Sequence, residues 1–398
     1  MNESMNKAVW VGLVLAVWQG AAWAGHSGGF TSVASKVVNS ADFVGGGPSN
    51  VFPSAKGPYH GLIQPRGDFS PKEAGDMRVN VSSSGCFSGW MNVGGATYSI
   101  GGEFNNQGLA GVHIYQSVWD DWCWCYYYRL IWIITLELPQ NTDEIHGKVT
   151  HARLGWTSDL LGYRGYTSDT EPAQEEGKYT LRLPGSDDPT IAPAGEGYGT
   201  MKVDSHGQLS VSGQLADGTT LSRSAIVSTK GWWPFYMSLS NGEGALFGWL
   251  RFASLPNSDV SGDLLWVRPQ RSDRDLYPDG YVGTVNATGS RYTPPGNGTP
   301  ALGWVAGRFW VSGGDLSSPL TNAVTLRPNG KLTDLGGGIE NLKFSLTTKT
   351  GLFKGKFTHP GLEKTVSYSG VLDQLQDVGG GYFIGSDQGG LVRLEAAP

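Results

Sequence analysis

The sequence predicts an all-β protein made of two consecutive antiparallel β-barrel-like, or sandwich, domains with Gly-rich hairpins. The 398 residues include 60 Gly, and the aromatic fraction is 11%. Glycine without a three-residue period excludes collagen, and this aromatic content excludes a long disordered chain. From residue 57 onward, short runs of Thr, Val, Tyr, Phe and Leu alternate with polar residues, whereas helical periodicity is nearly absent.

The first 24 residues have the pattern of a secretory signal peptide. Lys7 precedes the apolar run of residues 8–18, and small residues at positions 22 and 24 suit a signal peptidase. This run is too short to cross a bilayer, which needs about 20 residues. We therefore expect bacterial export to the periplasm, cell surface or medium, with no transmembrane helix after cleavage. Residues 25–56 are rich in Gly and Ser and predict a flexible segment or a loosely packed first strand.

Turn signals divide the remaining chain into hairpins. Turn-forming residues ending in Gly occur at 204–207, 217–218 and 328–330. Tight hairpin turns need residues that accept positive φ, and Gly, Asn and Asp do so most readily. We expect a first domain over residues 57–258 and a second over 259–398, because the sequence around this boundary is rich in Pro and Asp. The sheets could instead merge into one larger barrel.

The apolar stretch 122–138 has a period of two. Its even positions are all apolar or aromatic, and its odd positions are mixed. The pattern predicts one long strand, or a strand led by an aromatic loop. One interpretation places the even face in a barrel core, and the other exposes residues 119–128 as a binding platform.

Several blocks resemble one family, namely GKYTLRLPGSDDPTIAPAGEGYGTMKVDSHGQLSVSGQLADGTTLSRSAIVS, WWPFYMSLSNGEGALFGWLRF and the tail from GLFKGKFTHPGLEKTVSYSGVL to GGGYFIGSDQGGLVRL. It is an uncharacterised Gly-rich β-domain family of exported bacterial proteins, often C-terminal to immunoglobulin-like or other surface repeats. The resemblance covers residues 57–394 and implies a secreted β-protein without a known activity. Residues 119–128 depart from the family pattern. The G-x-F-x-G motifs at residues 85–89 and 351–355 are also similar to the Gly-rich barrels of surface ligand-binding lipoproteins, in architecture alone.

Composition and motifs limit the chemistry. A net charge of −6 does not suggest a nucleic-acid partner, and no nucleophile elbow, zincin motif or phosphate-binding loop is present, so we expect no cofactor. Three cysteines, Cys86, Cys123 and Cys125, exclude a disulfide framework. A bond between Cys123 and Cys125 would need an unusual turn, and two thiols make an incomplete zinc site, so we expect no metal.

The candidate ligand site combines aromatic side chains with carboxylates. Aromatic faces stack on the apolar side of a pyranose, and neighbouring acids accept hydrogen bonds from its hydroxyls. We therefore expect an exported, non-catalytic β-module for cell-surface or envelope structure or for ligand binding, with a polysaccharide as the favoured partner. The alternatives are a carbohydrate-active hydrolase that uses an acidic pair and, from the alternation over 122–138, an outer-membrane β-barrel. The candidate residues are Trp119, Asp120, Asp121, Trp122, Trp124 and Tyr126.

Overall fold

The computed structural model describes residues 35–39, 52–167, 172–272 and 276–398. The predicted signal peptide, residues 1–24, lies outside these residues, as does most of the segment 25–56. The described parts of that segment are strand β1, Ser35–Asn39, and the short helix α1, Phe52–Ala55. The N-terminal segment therefore contributes a strand that pairs antiparallel with the first sheet.

The described chain is almost entirely β, as the alternation predicts, and its strands form three antiparallel sheets. The first sheet contains β1, β2 (Gly57–Pro65), β3 (Gly75–Val81), β4 (Cys86–Val93), β5 (Ala96–Glu103), β6 (Leu109–Asp120), β7 (Cys125–Glu137), β8 (Glu144–His151) and β9 (Thr157–Arg164). The second contains β10 (Gly177–Leu183), β11 (Gly197–Val203), β12 (Gln208–Gln214), β13 (Thr220–Ile226), β14 (Trp232–Leu239), β15 (Gly244–Leu255), β16 (Ser258–Arg268) and β17 (Tyr281–Arg291), with a 3₁₀ turn at Ser240–Gly242. The third contains β18 (Ala306–Gly313), β19 (Leu320–Leu326), β20 (Leu332–Gly337), β21 (Glu340–Thr347), β22 (Leu352–His359), β23 (Lys364–Asp373), β24 (Val378–Ile384) and β25 (Gly389–Ala396).

Each sheet curls until its end strands approach one another, which gives three barrel-like bodies. The strand orders are β1-β6-β7-β8-β9-β2-β3-β4-β5, β13-β12-β11-β10-β17-β16-β15-β14 and β20-β19-β18-β25-β24-β23-β22-β21. Closure limits the exposed strand edges through which chains aggregate. At the second seam, Arg223 on β13 donates to the carbonyl oxygen of Tyr236 on β14, from Nε at 2.9 Å and from Nη2 at 2.6 Å. A side chain thus bridges strands that do not share a ladder.

The predicted hairpin turns are confirmed. Residues 204–207 join β11 to β12, residues 217–218 lie between β12 and β13, and residues 328–330 lie between β19 and β20. Gly207, at φ +69°, occupies the left-handed region that a side chain rarely adopts. Asp204 Oδ1 accepts the backbone N–H groups of His206 and Gln208, both at 2.9 Å, so the turn is closed by a side chain as well.

The number of bodies and their boundary differ from the sequence expectation. The structure has three sheets rather than two, and residue 258 begins β16, which pairs with β15 inside the second sheet. The Pro- and Asp-rich segment is misleading because it includes the turn between β15 and β16 and strand β16 itself, both of which belong to the second sheet. Val260, Leu264 and Trp266 on that strand are fully buried in the second core.

Each body encloses its own hydrophobic core. Gly355 on β22 illustrates how an aromatic ring fills space left by a missing side chain, because a Cβ there would lie 2.5 Å from the Tyr368 hydroxyl and 1.9 Å from the carbonyl oxygen of Lys343. Large fully buried side chains are Tyr59, Met77 and Met91 in the first core, Trp233, Phe235 and Trp266 in the second, and Phe309, Phe353, Phe357 and Phe383 in the third.

A buried charge cluster joins the second and third sheets. Arg182 on β10 donates to both carboxylate oxygens of Glu196, at 2.8 and 2.9 Å, and reaches Asp373 on β23 at 3.3 Å. Arg393 on β25 also donates to Glu196, at 2.6 Å. Burial lowers the pKa of Arg182, but the two carboxylates outweigh burial and leave that pKa above its ordinary value. The cluster satisfies its charges internally and fixes how the two sheets pack.

Candidate functional site: an aromatic hairpin

The candidate residues lie at the end of the hairpin formed by β6 and β7. In its lower half, even-numbered residues of β7 such as Trp132 and Ile134 are buried in the first core. A β-bulge then shifts the register, because Ile114 pairs with Trp132 whereas Tyr115 pairs with Leu130. Ile131 is the extra residue, and beyond it the even positions leave the core-facing side. One interpretation of the sequence placed the whole even face in the barrel core. The structure instead buries that face only in the lower half of the hairpin.

The upper half of the hairpin has no flanking strand among the described residues. Strand β1 pairs with β6 only as far as Gln116, and β8 pairs with β7 only from Trp132 onward. Within the described part of the chain, residues 117–128, which we call the aromatic hairpin, therefore pair only with each other. At about 3.3 Å per residue, the four residues from Ser117 to Asp120 carry the turn about 13 Å beyond the last flanked residue, Gln116.

The aromatic hairpin exposes its rings. Trp122 is 93% exposed, Trp124 80% and Tyr126 68%. Trp119 and Tyr126 are cross-strand partners whose ring centroids lie 4.8 Å apart at an interplanar angle of 64°. Trp124 meets Trp119 edge to face, with centroids 6.4 Å apart. The rings thus form a ridge with faces in different directions rather than one flat platform.

A disulfide closes the turn. The structure joins Cys123 to Cys125, with their Cα atoms 5.2 Å apart. The intervening Trp124 has φ 52°, a left-handed conformation that is uncommon for a residue with a large side chain. This is the unusual turn that the sequence analysis required for such a bond. It holds the Trp124 indole outward, while the third cysteine, Cys86, is free and exposed.

The two aspartates support the turn. Asp120 Oδ1 accepts the backbone N–H of Trp122 at 2.9 Å, and Asp121 Oδ1 accepts the indole N–H of Trp119 at 2.8 Å. Each interaction uses one carboxylate oxygen, so the other oxygen can accept a hydrogen bond from a ligand. The aromatic hairpin contains no Lys, Arg or His, so its ionisable carboxylates give it a negative charge.

The structure brings all six candidate residues together at this tip. Sequence analysis left two further exposed rings, Tyr127 and Tyr128, out of the candidate set; they are 42% and 59% exposed. Tyr127 pairs with Val118 on the face opposite to Trp119 and Tyr126, so the hairpin presents rings on both faces. The three consecutive tyrosines at 126–128 could have predicted rings on both faces, because consecutive strand residues point to opposite sides of a sheet.

A buried His–carboxylate pair lies elsewhere, between the first and second sheets. His60 Nε2 lies 3.2 Å from Asp76 Oδ2, and the backbone N–H of Ile226 donates to His60 Nδ1 at 3.1 Å. Because Nδ1 accepts, Nε2 carries the proton and donates to Asp76. Both ring nitrogens are engaged, which makes the pair a packing contact rather than a catalytic base.

Two further observations concern only the described part of the chain. Within those residues, no group of three or more His, Cys, Asp or Glu side chains is placed to hold a metal ion. None of the helices there has the length and apolar character to cross a membrane.

The chain matches no family model and no curated protein. Among solved structures, it is similar to a transferrin-binding protein B double mutant of Haemophilus parasuis, with 8% identity over 85% of this chain and 74% of that one, at a TM-score of 0.20. Transferrin-binding protein B of Neisseria meningitidis is 13% identical over 87% and 77% of the chains, with a TM-score of 0.21. A DUF3598-family protein of unknown function from Nostoc punctiforme is 8% identical over 88% and 100%, with a TM-score of 0.18. TM-scores this low carry no argument about the present chain.

Proposed function

We propose that this protein is an exported, non-catalytic polysaccharide-binding protein that holds sugar chains on its aromatic hairpin. The observation that carries the proposal is the set of exposed rings on an unflanked, disulfide-closed tip, with Trp122 93% and Trp124 80% exposed. Exposing such rings to water costs free energy that a ligand can recover by covering them. The ring faces can stack on pyranose rings while Asp120 and Asp121 accept hydrogen bonds from sugar hydroxyls.

Charge distinguishes a polysaccharide from a membrane surface. Aromatic side chains also serve as interfacial anchors in bilayers. The aromatic hairpin, however, carries two aspartates and no basic residue, so an anionic leaflet would repel it and insertion would bury carboxylates. An uncharged sugar chain meets neither obstacle.

The ridge geometry favours single, soluble chains over crystalline surfaces. Trp119 lies at 64° to Tyr126 and at 87° to Trp124, so these three rings do not form a flat array for a crystal face. A flexible chain can instead wrap successive sugars around rings that face in different directions.

Two further points bear on export and catalysis. A disulfide persists in an oxidising compartment, so the Cys123–Cys125 bond supports export, in agreement with the signal-like residues 1–24. Hydrolysis through Asp120 or Asp121 is less well supported. A glycosidase would need a second carboxyl group elsewhere in the fold, across the scissile bond from Asp120 or Asp121, whereas these aspartates lie on an exposed turn and support Trp119 and Trp122.

The test is binding of soluble neutral polysaccharides, such as a β-glucan and a xylan, to wild type, Trp122→Ala, Trp124→Ala and Trp122→Phe. Loss of an aromatic anchor should cost about 2 kcal/mol, which is about a 30-fold rise in Kd, and Phe should retain part of the affinity. Leu154→Ala is the matched control because Leu154 is 71% exposed but lies outside the hairpin. Wild-type affinity in both Trp→Ala variants, or no binding by wild type across the panel, would refute the proposal.

A further inference from the structure

A second surface, between the second and third sheets, also has the features of a ligand site. The outward faces of β11–β12 and β21–β23 meet at a cavity of about 520 Å³, lined in part by Lys343, Lys354, Lys356 and Gln214. An adjoining cavity of about 410 Å³ shares Gln214, Ser367 and Ser369 with it. We call this surface the cationic groove.

The lysines of the cationic groove do not serve stability. Lys343 and Lys356 are directly opposed in the β21–β22 ladder, and like charges in that position destabilise a sheet. Neither they nor Lys354 forms an ion pair with any of the described residues. All three side chains are exposed. An opposed pair of lysines that costs the sheet stability, with Lys354 exposed beside it, indicates a negatively charged partner.

The charge of the groove is unbalanced. The residues lining its two cavities include three lysines and no Asp or Glu. The whole chain has a net charge of −6, so the charge of this patch is opposite in sign to the net charge of the protein. Such a local field attracts anions most strongly at low ionic strength.

The same pattern recurs farther along the second sheet. Lys178 and Lys202 are directly opposed on β10 and β11, and both line a third cavity, of about 630 Å³. Thr200 and Ser212, which are also cross-strand partners, line it too. The next pair on the same face of these strands, Tyr198 and Gln214, belongs to the cationic groove. The lysine pairs are thus connected by a track of hydroxyl and amide groups.

The hydroxyl and amide groups along the track can form hydrogen bonds with sugar hydroxyls. Gln214 Oε1 lies 3.0 Å from the Tyr198 hydroxyl and 3.1 Å from the Tyr382 hydroxyl, which orients its Nε2 away from that cluster. Its Nε2 has no partner among the described residues and can donate to a ligand. Ser345, opposite Lys354, and Ser367, opposite Lys356, add exposed hydroxyls beside the ammonium groups.

We infer that the cationic groove binds an acidic polysaccharide, with lysines on its carboxylates and hydroxyl groups on its sugars. A compact anion such as phosphate would need a convergent, enclosed cradle, whereas the three lysines of the groove are exposed. A single-stranded nucleic acid would need exposed rings for base stacking. Tyr198 and Tyr368 in the groove are only 6% and 3% exposed. The inference concerns a site separate from the aromatic hairpin and does not depend on it.

The probe is polygalacturonate, a polymer of uronic acid. Wild type should bind polygalacturonate at low salt, and binding should weaken strongly at about 0.5 M salt because exposed charges are then screened. The variant Lys343→Gln/Lys354→Gln/Lys356→Gln should lose about tenfold or more in affinity, since each exposed charge pair contributes modestly. Lys331→Gln, in a turn outside the three cavities, should bind within about twofold of wild type.

A second readout separates binding from folding. Because the triple variant removes an opposed like-charge pair, its Tm should not fall while its affinity does. Leu154→Ala, at an exposed position outside both surfaces, should leave polygalacturonate binding unchanged. The inference is overturned if wild type does not bind polygalacturonate, if the triple variant binds it as wild type does, or if duplex DNA with the same number of negative charges binds as tightly.

Discussion

Replacing Arg182 by Ala should show how strongly the buried charge cluster stabilises the fold. The change removes a bidentate pair with Glu196 at 2.8 and 2.9 Å and contacts of 3.3 Å to Asp373 and Gln376. Hydrogen bonds to charged groups contribute about 1.5–3 kcal/mol each, so the gross loss over these four bonds is about 6–12 kcal/mol. Part of this is offset, because Arg393 still contacts Glu196. The backbone N–H groups of Leu375 and Gln376 still donate to Asp373.

The net expectation is a fall of about 3–5 kcal/mol in the free energy of unfolding, the range typical of breaking one side of a buried pair. Urea unfolding followed by tryptophan fluorescence measures it. Arg308→Ala is the matched control, because its ion pair with Glu395 is partly exposed, and it should cost less than about 1 kcal/mol. If Arg182→Ala costs no more than the control, the cluster does not hold the second and third sheets together as argued.

Two other predictions concern alkaline pH and glycine. Burial raises the pKa of Tyr59 to about 12, so its contribution to stability is complete below about pH 10 and is lost as pH rises toward 12. Tyr59→Phe should flatten the fall in urea midpoint between those pH values, and an unchanged pH profile would contradict this. Gly355→Ala should cost about 1–3 kcal/mol or more, because the new Cβ meets the Tyr368 hydroxyl and the carbonyl oxygen of Lys343. Gly296→Ala, whose nearest neighbour would lie 3.6 Å away, should be nearly neutral in thermal unfolding, and equal losses in both variants would refute the steric argument.

The sequence was sufficient for the fold class because hairpin signals are local. Asp204 and Gly207 specify their turn through bonds and dihedrals that involve only nearby residues. The division into three bodies depends instead on which distant strands pair. Strand β10 pairs with β17, more than a hundred residues later, and no local pattern encodes that register. Pro and Asp near residue 258 therefore looked like a boundary although the neighbouring strands are adjacent in one sheet.

The candidate site divides in the same way. The six candidate residues of the aromatic hairpin could be selected from the sequence, because they form a local run of aromatic residues next to aspartates. The bulge at Ile131 was not, since it depends on the cross-strand partner Ile114, and it decides where the core face ends. The cationic groove was equally hidden. Lys343 and Lys356 are thirteen positions apart in sequence, and only the ladder makes them neighbours.

Among the described residues, no strand flanks residues 117–128, and this has a consequence for how the protein can diversify. Their ladder partners in that part of the chain are each other, so their side chains are not constrained by packing in the barrel. A substitution at Trp122 changes what the molecule touches and leaves intact what holds it together. The hairpin can therefore acquire new specificities through successive neutral steps, much as an antibody loop does, while the Cys123–Cys125 bond keeps each new surface presented in the same place.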